Sequence, residues 1–287
     1  MTSVDPHTPS DLARLRSRAI RGTYSREALK SVFKASPIAH CAFAHDGKGL
    51  EGPGGDEKPR IMNLPMLAVL REYEREGDVE SDASDDLPEN GELIVYLHTY
   101  YGSRLVGAIK DGLESLTIST TKMDGLVLSE IPKGHSVNYR SACVYGYNPT
   151  LVPNTPEGIT EKIKALQAVV DDVTGYNRTD FIGQTTESQA KPTAVVRVRI
   201  EDASCKQRVG GADGDMPPVE KAEDDTTSGG PDGHEFVGVV PCWTQFGRAR
   251  GIGKHKEELE RAMNVRSKEG EQYALDAAFA RTKLDGR

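Results

Sequence analysis

Strand-length apolar runs separated by turn signals, with no repeated strand–helix–strand units, constrain the fold of this chain more than any other feature. Residues 91–146 read strand, loop, short helix, strand, turn and strand without a gap. Leu93-Ile94-Val95-Tyr96-Leu97 is apolar enough for a core strand, and Asn90-Gly91 before it is a turn signal that restarts a sheet. A doubly wound parallel sheet needs a helical crossover after each strand, and the pattern does not supply one. The expectation is a mainly β protein with peripheral helices, its six or seven strands running antiparallel into a small barrel.

The other elements follow from local signals. Residues 25–36 predict a helix, with Ser25 as cap, Glu27 in the first turn, and Leu29, Val32 and Phe33 on one face. Strands are expected at 38–44, 60–70, 114–121 and, across a Met123-Asp124-Gly125 turn, 125–129, then at 138–147, 193–200 and 236–243. Residues 102–112 fit a short helix or turn with Leu105, Val106 and Ile109 facing inward. Residues 156–170 fit an amphipathic helix with a stripe of Ile159, Ile163, Leu166 and Val170. A charged helix over 254–284 has Leu259, Met263, Tyr273, Leu275 and Phe279 as its apolar contacts.

This gives one barrel domain over 21–248, preceded by a tail at 1–20 and followed by a helical extension at 249–287. Insertions interrupt it at 48–59, rich in Gly and Pro, at 71–90, strongly acidic, and at 210–233, acidic and rich in Gly, Pro and Ser and expected to be a disordered loop. Hydrophobic residues make up 37% and charged residues 28% of the chain, a balance that leaves part of it outside any compact core.

The formal net charge of −8 disfavours a general nucleic-acid binder, so any anion site must be local. Cys41, Cys143, Cys205 and Cys242 form no CxxC pair, which points to free thiols in a reducing compartment rather than a zinc site. There is no apolar run near the roughly 20 residues that span a bilayer, and no signal-peptide core. A cytoplasmic protein with no membrane partner is expected.

Two clusters could carry chemistry. Gly102-Ser103-Arg104, after a strand and before a helix, combines a tight turn, a hydroxyl and a fixed cationic fork, which suits a phosphate, although such tripeptides are also common in plain turns. His98, near the end of the preceding strand, should face away from Leu97 and could reach a ligand there. It has no second histidine or carboxylate at metal-ligand spacing, so no metal is expected. His135, Asn138, Tyr139, Arg140 and Ser141 form the second cluster, at the entrance to an apolar strand.

Taken in order, these motifs resemble the Nim-type (5-nitroimidazole resistance protein-like) branch of the pyridoxamine 5'-phosphate oxidase-like flavoproteins. The residues are Arg21-Gly22-Thr23-Tyr24-Ser25-Arg26-Glu27, Tyr96-Leu97-His98, Gly102-Ser103-Arg104, Met123-Asp124-Gly125-Leu126-Val127-Leu128, Asn138-Tyr139-Arg140-Ser141 and Val237-Gly238-Val239-Val240-Pro241. The long additions are more typical of fungal relatives. The resemblance implies an FMN-binding split β-barrel, usually a homodimer with flavin mononucleotide at the subunit interface. It further implies phosphate contacts from Ser103 and Arg104, a strand segment Asn63-Leu64-Pro65 against the flavin, and Thr120 and Thr121 along its ring system. It adds Asn138, Tyr139 and Arg140 on a closing strand, with His98 contacting cofactor or substrate.

On that basis the expected function is an FMN-dependent reductase or oxidase of a small, heteroaromatic or nitro-bearing molecule, with His98 or Tyr100 as proton donor. NAD(P)H would be an external electron source, since no GxGxxG unit is present. Vitamin B6 synthesis is disfavoured, because the substrate-phosphate residues of pyridoxamine phosphate oxidase are not recognisable. Two alternatives stay open: a flavin- or haem-binding module without turnover, in which His98 or His135 could ligate haem, and a cofactor-free enzyme that reuses the groove.

Overall fold

The structure, a computed structural model, describes residues 9–46, 59–73, 92–211, 235–281 and 284. Most of each expected insertion lies outside the described residues. The elements, in chain order, are β1 (Gly22–Thr23), α1 (Arg26–Ala35), β2 (Ile38–His45), β3 (Arg60–Tyr73), β4 (Glu92–Thr99), α2 (Arg104–Lys110), β5 (Ser115–Leu128), β6 (Ser136–Leu151), α3 (Pro156–Thr174), α4 (Thr179–Ile182), α5 (Glu187–Ala190), β7 (Ala194–Arg208), β8 (Gly238–Pro241) and α6 (Lys256–Phe279). They divide into two compact units, one of Met1–Arg14, Tyr24–Thr120 and Ala142–Ser204, the other of Leu15–Thr23, Thr121–Ser141 and Cys205–Arg287.

The first unit is the antiparallel barrel. Strands β7, β4, β3, β2, β5 and β6 are neighbours in that order, and β6 pairs β7 again, which closes the ring. Alternation along each strand sends Cys41, Phe43, Val95, Leu97, Leu116, Ile118, Val144, Val196 and Val198 inward, all buried. Burial pushes the Cys41 thiol up to about 12, so this cysteine is an inert core residue. Gly146 on β6 leaves room for Val198 of β7: a Cβ there would lie 2.3 Å from Val198 Cγ1.

Helix α3 covers part of the outer face. Thr155 caps its start by accepting from Gly158 N, and Gly175, at φ 73°, ends it. Ala165, Ala168 and Val169 pack on Val69, Ile94, Tyr96 and Val195. Arg71 makes a bidentate pair with Asp172, at 2.9 and 2.8 Å, and Tyr96 donates to Glu161 at 2.9 Å. Arg71 was expected to open an acidic interruption, but β3 runs on to Tyr73, paired with β4 through Arg71↔Ile94 to Tyr73↔Glu92, and Arg71 finds its partner on α3. The buried stripe is also turned from the one expected, with Ile159, Lys162, Ala165 and Val169 innermost and Ile163 and Val170 only half-buried.

Residues 9–14, within the expected tail, belong to the barrel unit: Ala13 is buried, and both the backbone N–H and the hydroxyl of Ser10 donate to Asp202.

In the second unit β1 pairs the end of β7, and β8 pairs β5 through Gly125↔Pro241 to Leu128↔Gly238. The turn expected at Met123-Asp124-Gly125 does not form, and β5 passes straight through it. A Cβ on Gly125 would meet Val239 Cγ1 at 3.0 Å and Val240 O at 3.2 Å, so this glycine admits a partner strand instead of reversing the chain. Helix α6 packs through Tyr273, Ala274, Ala277 and Ala278, whereas Leu275 and Phe279, expected as contacts, are exposed. Small residues let the helix approach closely, and the two large ones fall on its far side.

Candidate functional site

The outer face of the barrel is uncovered over β2, the first half of β3 and the first half of β5. Register pairs Ala44 with Ile61, Ala42 with Asn63, and His40 with Pro65; on the other side His40 faces Ser119 and Ala42 faces Thr117. These outward side chains, together with Ile38, include no Lys, Arg, Asp or Glu. Ile38 is 56% and Ile61 75% exposed. An exposed sheet face that lacks lysine, arginine and carboxylate side chains and is partly apolar fits a flat ligand or a second protein surface. Pro65 is tolerated within β3 because β4 pairs only from Ala68 onward, so no ladder bond is lost on that side.

His98 lies at the border of this face. It pairs with Val195 and follows the Ala68–Leu97 pair by one position, so it is on the outward side, with Leu67 and Val195. This is the orientation away from Leu97 that alternation implied. Its Nδ1 is buried without a hydrogen-bond partner, and burial pulls its pKa below the ordinary histidine value. Burial thus favours the neutral ring, which carries one buried nitrogen without a hydrogen-bond partner.

Beyond His98 the strand ends in a turn, closed by Ser103 N–H donating to Tyr100 O at 3.0 Å. Ser103 caps α2, accepting from Val106 N at 3.3 Å; its own O–H is still available to donate. Arg104 opens the helix, is exposed, and has no acidic partner among the described residues. Tyr100 is 69% exposed. The tyrosine next to it, Tyr101, is held by a group absent from the expected site: Lys162 on α3, which is fully buried. Its ammonium donates to Tyr101 Oη at 2.8 Å, Asn154 Oδ1 at 2.6 Å and Thr193 O at 3.1 Å. The sequence did carry a signal for it, a lysine three residues after Ile159 inside an apolar stripe.

Other expected residues take different positions. Asn63 and Pro65 point outward, but Leu64, paired with Cys41, points into the core and offers the outer face only backbone. Thr120 is buried, and its hydroxyl is shared between the carbonyls of Ser36 and Ile38 at 3.0 and 3.1 Å. The hydroxyl expected along a ring system is thus spent on the junction between α1 and β2.

Thr121, Asn138, Tyr139 and Arg140 belong to the second unit. Thr121 is exposed and Tyr139 half-buried. Asn138 is fully buried, accepts from Arg208 at 2.6 Å and donates to Ala277 O at 3.5 Å. Arg140 pairs with buried Asp124 at 3.3 Å and lies over the ring of Tyr273. The side chains of Asn138 and Arg140 are therefore engaged with α6 and β5 rather than presented to a ligand. An open depression of about 500 Å³ adjoins the uncovered outer face at Ala44 and is lined by residues including His45, Asp111 and Glu114; it holds none of the expected site residues.

Fold and site together define an antiparallel barrel protein of the split-barrel class, with an outer face free of lysine, arginine and carboxylate side chains and a cationic turn at the end of a bordering strand. The chain belongs to the pyridoxamine 5'-phosphate oxidase family, whose sequence model matches residues 64–207, about half of its length. No curated protein matches it. Among solved structures it is similar to the flavocytochrome Anf3 from Azotobacter vinelandii, with 21% identity, a TM-score of 0.55, and 87% of this chain and 92% of that one covered. It is also similar to the FAD and haem binding protein from Mycobacterium smegmatis, with 22% identity, a TM-score of 0.56, and coverage of 85% and 97%. A putative 5-nitroimidazole antibiotic resistance protein from Bacteroides thetaiotaomicron is more distant, at 13% identity, a TM-score of 0.39, and coverage of 64% and 86%.

Proposed function

We propose that this protein is a flavin-dependent oxidoreductase acting on a small heteroaromatic or nitro-bearing molecule, with the flavin ring against the outer face of β2, β3 and β5. The observation that supports this reading is an exposed face without lysine, arginine or carboxylate side chains, in a chain of the pyridoxamine 5'-phosphate oxidase family, bordered by His98, whose Nδ1 has no hydrogen-bond partner. Arg104 and the free O–H of Ser103 would hold the phosphate. Asn63, Pro65 and the backbone of Leu64 and Thr120 would lie along the ring.

When bound, the flavin supplies the redox chemistry, and this chain's residues bind, orient and exchange protons. Neutral His98 is placed to give or take a proton at its border position, and exposed Tyr100 is a second donor. FMN is the form proposed, because one cationic turn suffices for a single phosphate. NAD(P)H enters as an external donor. A second copy of the chain would complete the site by covering the same face, as an exposed apolar sheet surface invites. Oxidation of pyridoxamine phosphate itself is not proposed, since among the described residues no second cation for a substrate phosphate accompanies Arg104 on this face.

A second reading adds haem. It is favoured by the free Nδ1 of His98, a neutral imidazole of the kind that ligates iron, and by the descriptions of the two flavin- and haem-binding neighbours. Absorption spectra of the purified protein separate the readings. A flavin band released on heating supports the first, and an added intense Soret band lost in His98→Ala supports the second. Protein that is colourless and takes up neither FMN, FAD nor haemin overturns both.

A further inference from the structure

Lys162 is an unusual residue for a helix core, since an ammonium is rarely buried completely. Its three donors are all used, and each reaches a different connection: Tyr101 in the turn before α2, Asn154 between β6 and α3, and Thr193 before β7. If the role were only to fill space, an aliphatic side chain would do so without the desolvation cost. What the ammonium adds is direction, and the one side chain it holds is Tyr101.

The turn from Tyr100 to Ser103 is closed by a single backbone bond, from Ser103 N–H to Tyr100 O. At Gly102 a Cβ would stand 3.0 Å from the Tyr100 ring, so the exposed ring lies close over the turn. Tyr101 is the residue of this turn tied to the body of the barrel by a side-chain hydrogen bond. Arg104, two residues after Gly102, inherits its direction from the turn.

We propose that Lys162 is a positioning residue for the flavin phosphate: by holding the Tyr101 hydroxyl it fixes the turn that aims Ser103 and Arg104. The proposal rests on the flavin reading above. It predicts that Tyr101→Phe, which removes one hydroxyl and leaves the ring, weakens FMN binding about tenfold, the scale of one lost charge-assisted hydrogen bond. Lys162→Met, which removes the ammonium at similar volume, has at least the same effect.

A double-mutant cycle with Arg104→Ala supplies a readout that a loss of stability alone would not move. Titrate FMN against wild type, Tyr101→Phe, Arg104→Ala and the double variant at a temperature where all are folded, and record the phosphorus NMR signal of the bound cofactor. The expected result is a weaker Tyr101→Phe, with a shifted phosphorus signal, and no further loss when Tyr101→Phe is added to Arg104→Ala. Wild-type affinity in Tyr101→Phe, or full additivity with Arg104→Ala, overturns the positioning role while leaving the flavin reading intact. Failure of the wild type to bind FMN or FAD overturns both. Tyr101→Phe keeps the test decisive even where Lys162→Met does not fold.

Discussion

The guanidinium of Arg140 lies 3.4 Å from the centroid of the Tyr273 ring, so a cation on β6 and an aromatic on α6 form one buried contact. The hydroxyl of the same tyrosine accepts from Gln207 Nε2 at the end of β7. The charged helix α6 is thereby anchored by a polar contact beside its alanines. Tyr273→Ala should destabilise the protein by about 3 to 5 kcal/mol, as for other large-to-small aromatic changes in a core. Tyr273→Phe should cost only about 1 kcal/mol, the worth of one hydrogen bond. Urea unfolding of the three proteins measures both, and equal losses would show that the ring stacking contributes nothing.

Asp124 beside Arg140 gives a signed pH dependence. Burial outweighs the attraction of Arg140 and Lys122 and raises its pKa from 3.8 to about 6. The folded protein therefore binds a proton that the unfolded chain has released, and stability falls as pH rises from about 4 to 6, by on the order of 3 kcal/mol in total. Below the unfolded pKa the contribution is fully present. In Asp124→Asn this slope should vanish, as read from unfolding free energies across that range; an unchanged slope would place the titration elsewhere.

His98 contributes with the opposite sign. Its folded pKa is lowered, so the unfolded chain takes up the proton first and stability falls as pH drops below about 6.5. His98→Leu should remove that loss. It should also raise stability at pH 7 by about 1 kcal/mol, because a buried nitrogen without a partner disappears. Turnover should be lost in the same variant. A more stable but inactive protein would identify His98 as a residue retained for function; a destabilised one would mean that its nitrogen is satisfied in solution.

A charge on the open face should block what that face takes. Ala42 lies between Asn63 and Thr117 in the register. Ala42→Lys, at a surface strand position, should change stability by no more than about 1 kcal/mol. Flavin uptake and any self-association, followed by absorbance and sedimentation, should both be lost. Retention of both would move the site off this face.

Much of the barrel is legible in the order of residues. Alternation in Ile38–His45 and the apolar run of Glu92–Thr99 identify strands whose inward and outward faces follow from period two alone. Ser25 marks a helix start because a cap is a local arrangement of neighbouring atoms. The direction of His98, away from Leu97, was fixed by the same alternation.

Partners distant in sequence were not legible. Gly125 in a turn and Gly125 admitting a facing strand are locally the same signal, and only the arrival of Val239 and Val240 distinguishes them. Arg71 reads as part of an acidic interruption until Asp172, 101 positions away, pairs with it. Thr120, Asn138 and Arg140 are polar groups near the expected site, but tertiary contacts with Ser36, Arg208 and Asp124 engage their side chains. Lys162 is the converse: a charge that the sequence places in a helix and the fold brings under the turn of Tyr101. The sequence by itself determined the antiparallel barrel and its bordering histidine and arginine, because these depend on periodicity and local chemistry. Tertiary structure alone decided which polar side chains remain free for a ligand, because a hydrogen bond or ion pair depends on atoms that the chain brings together only when it closes.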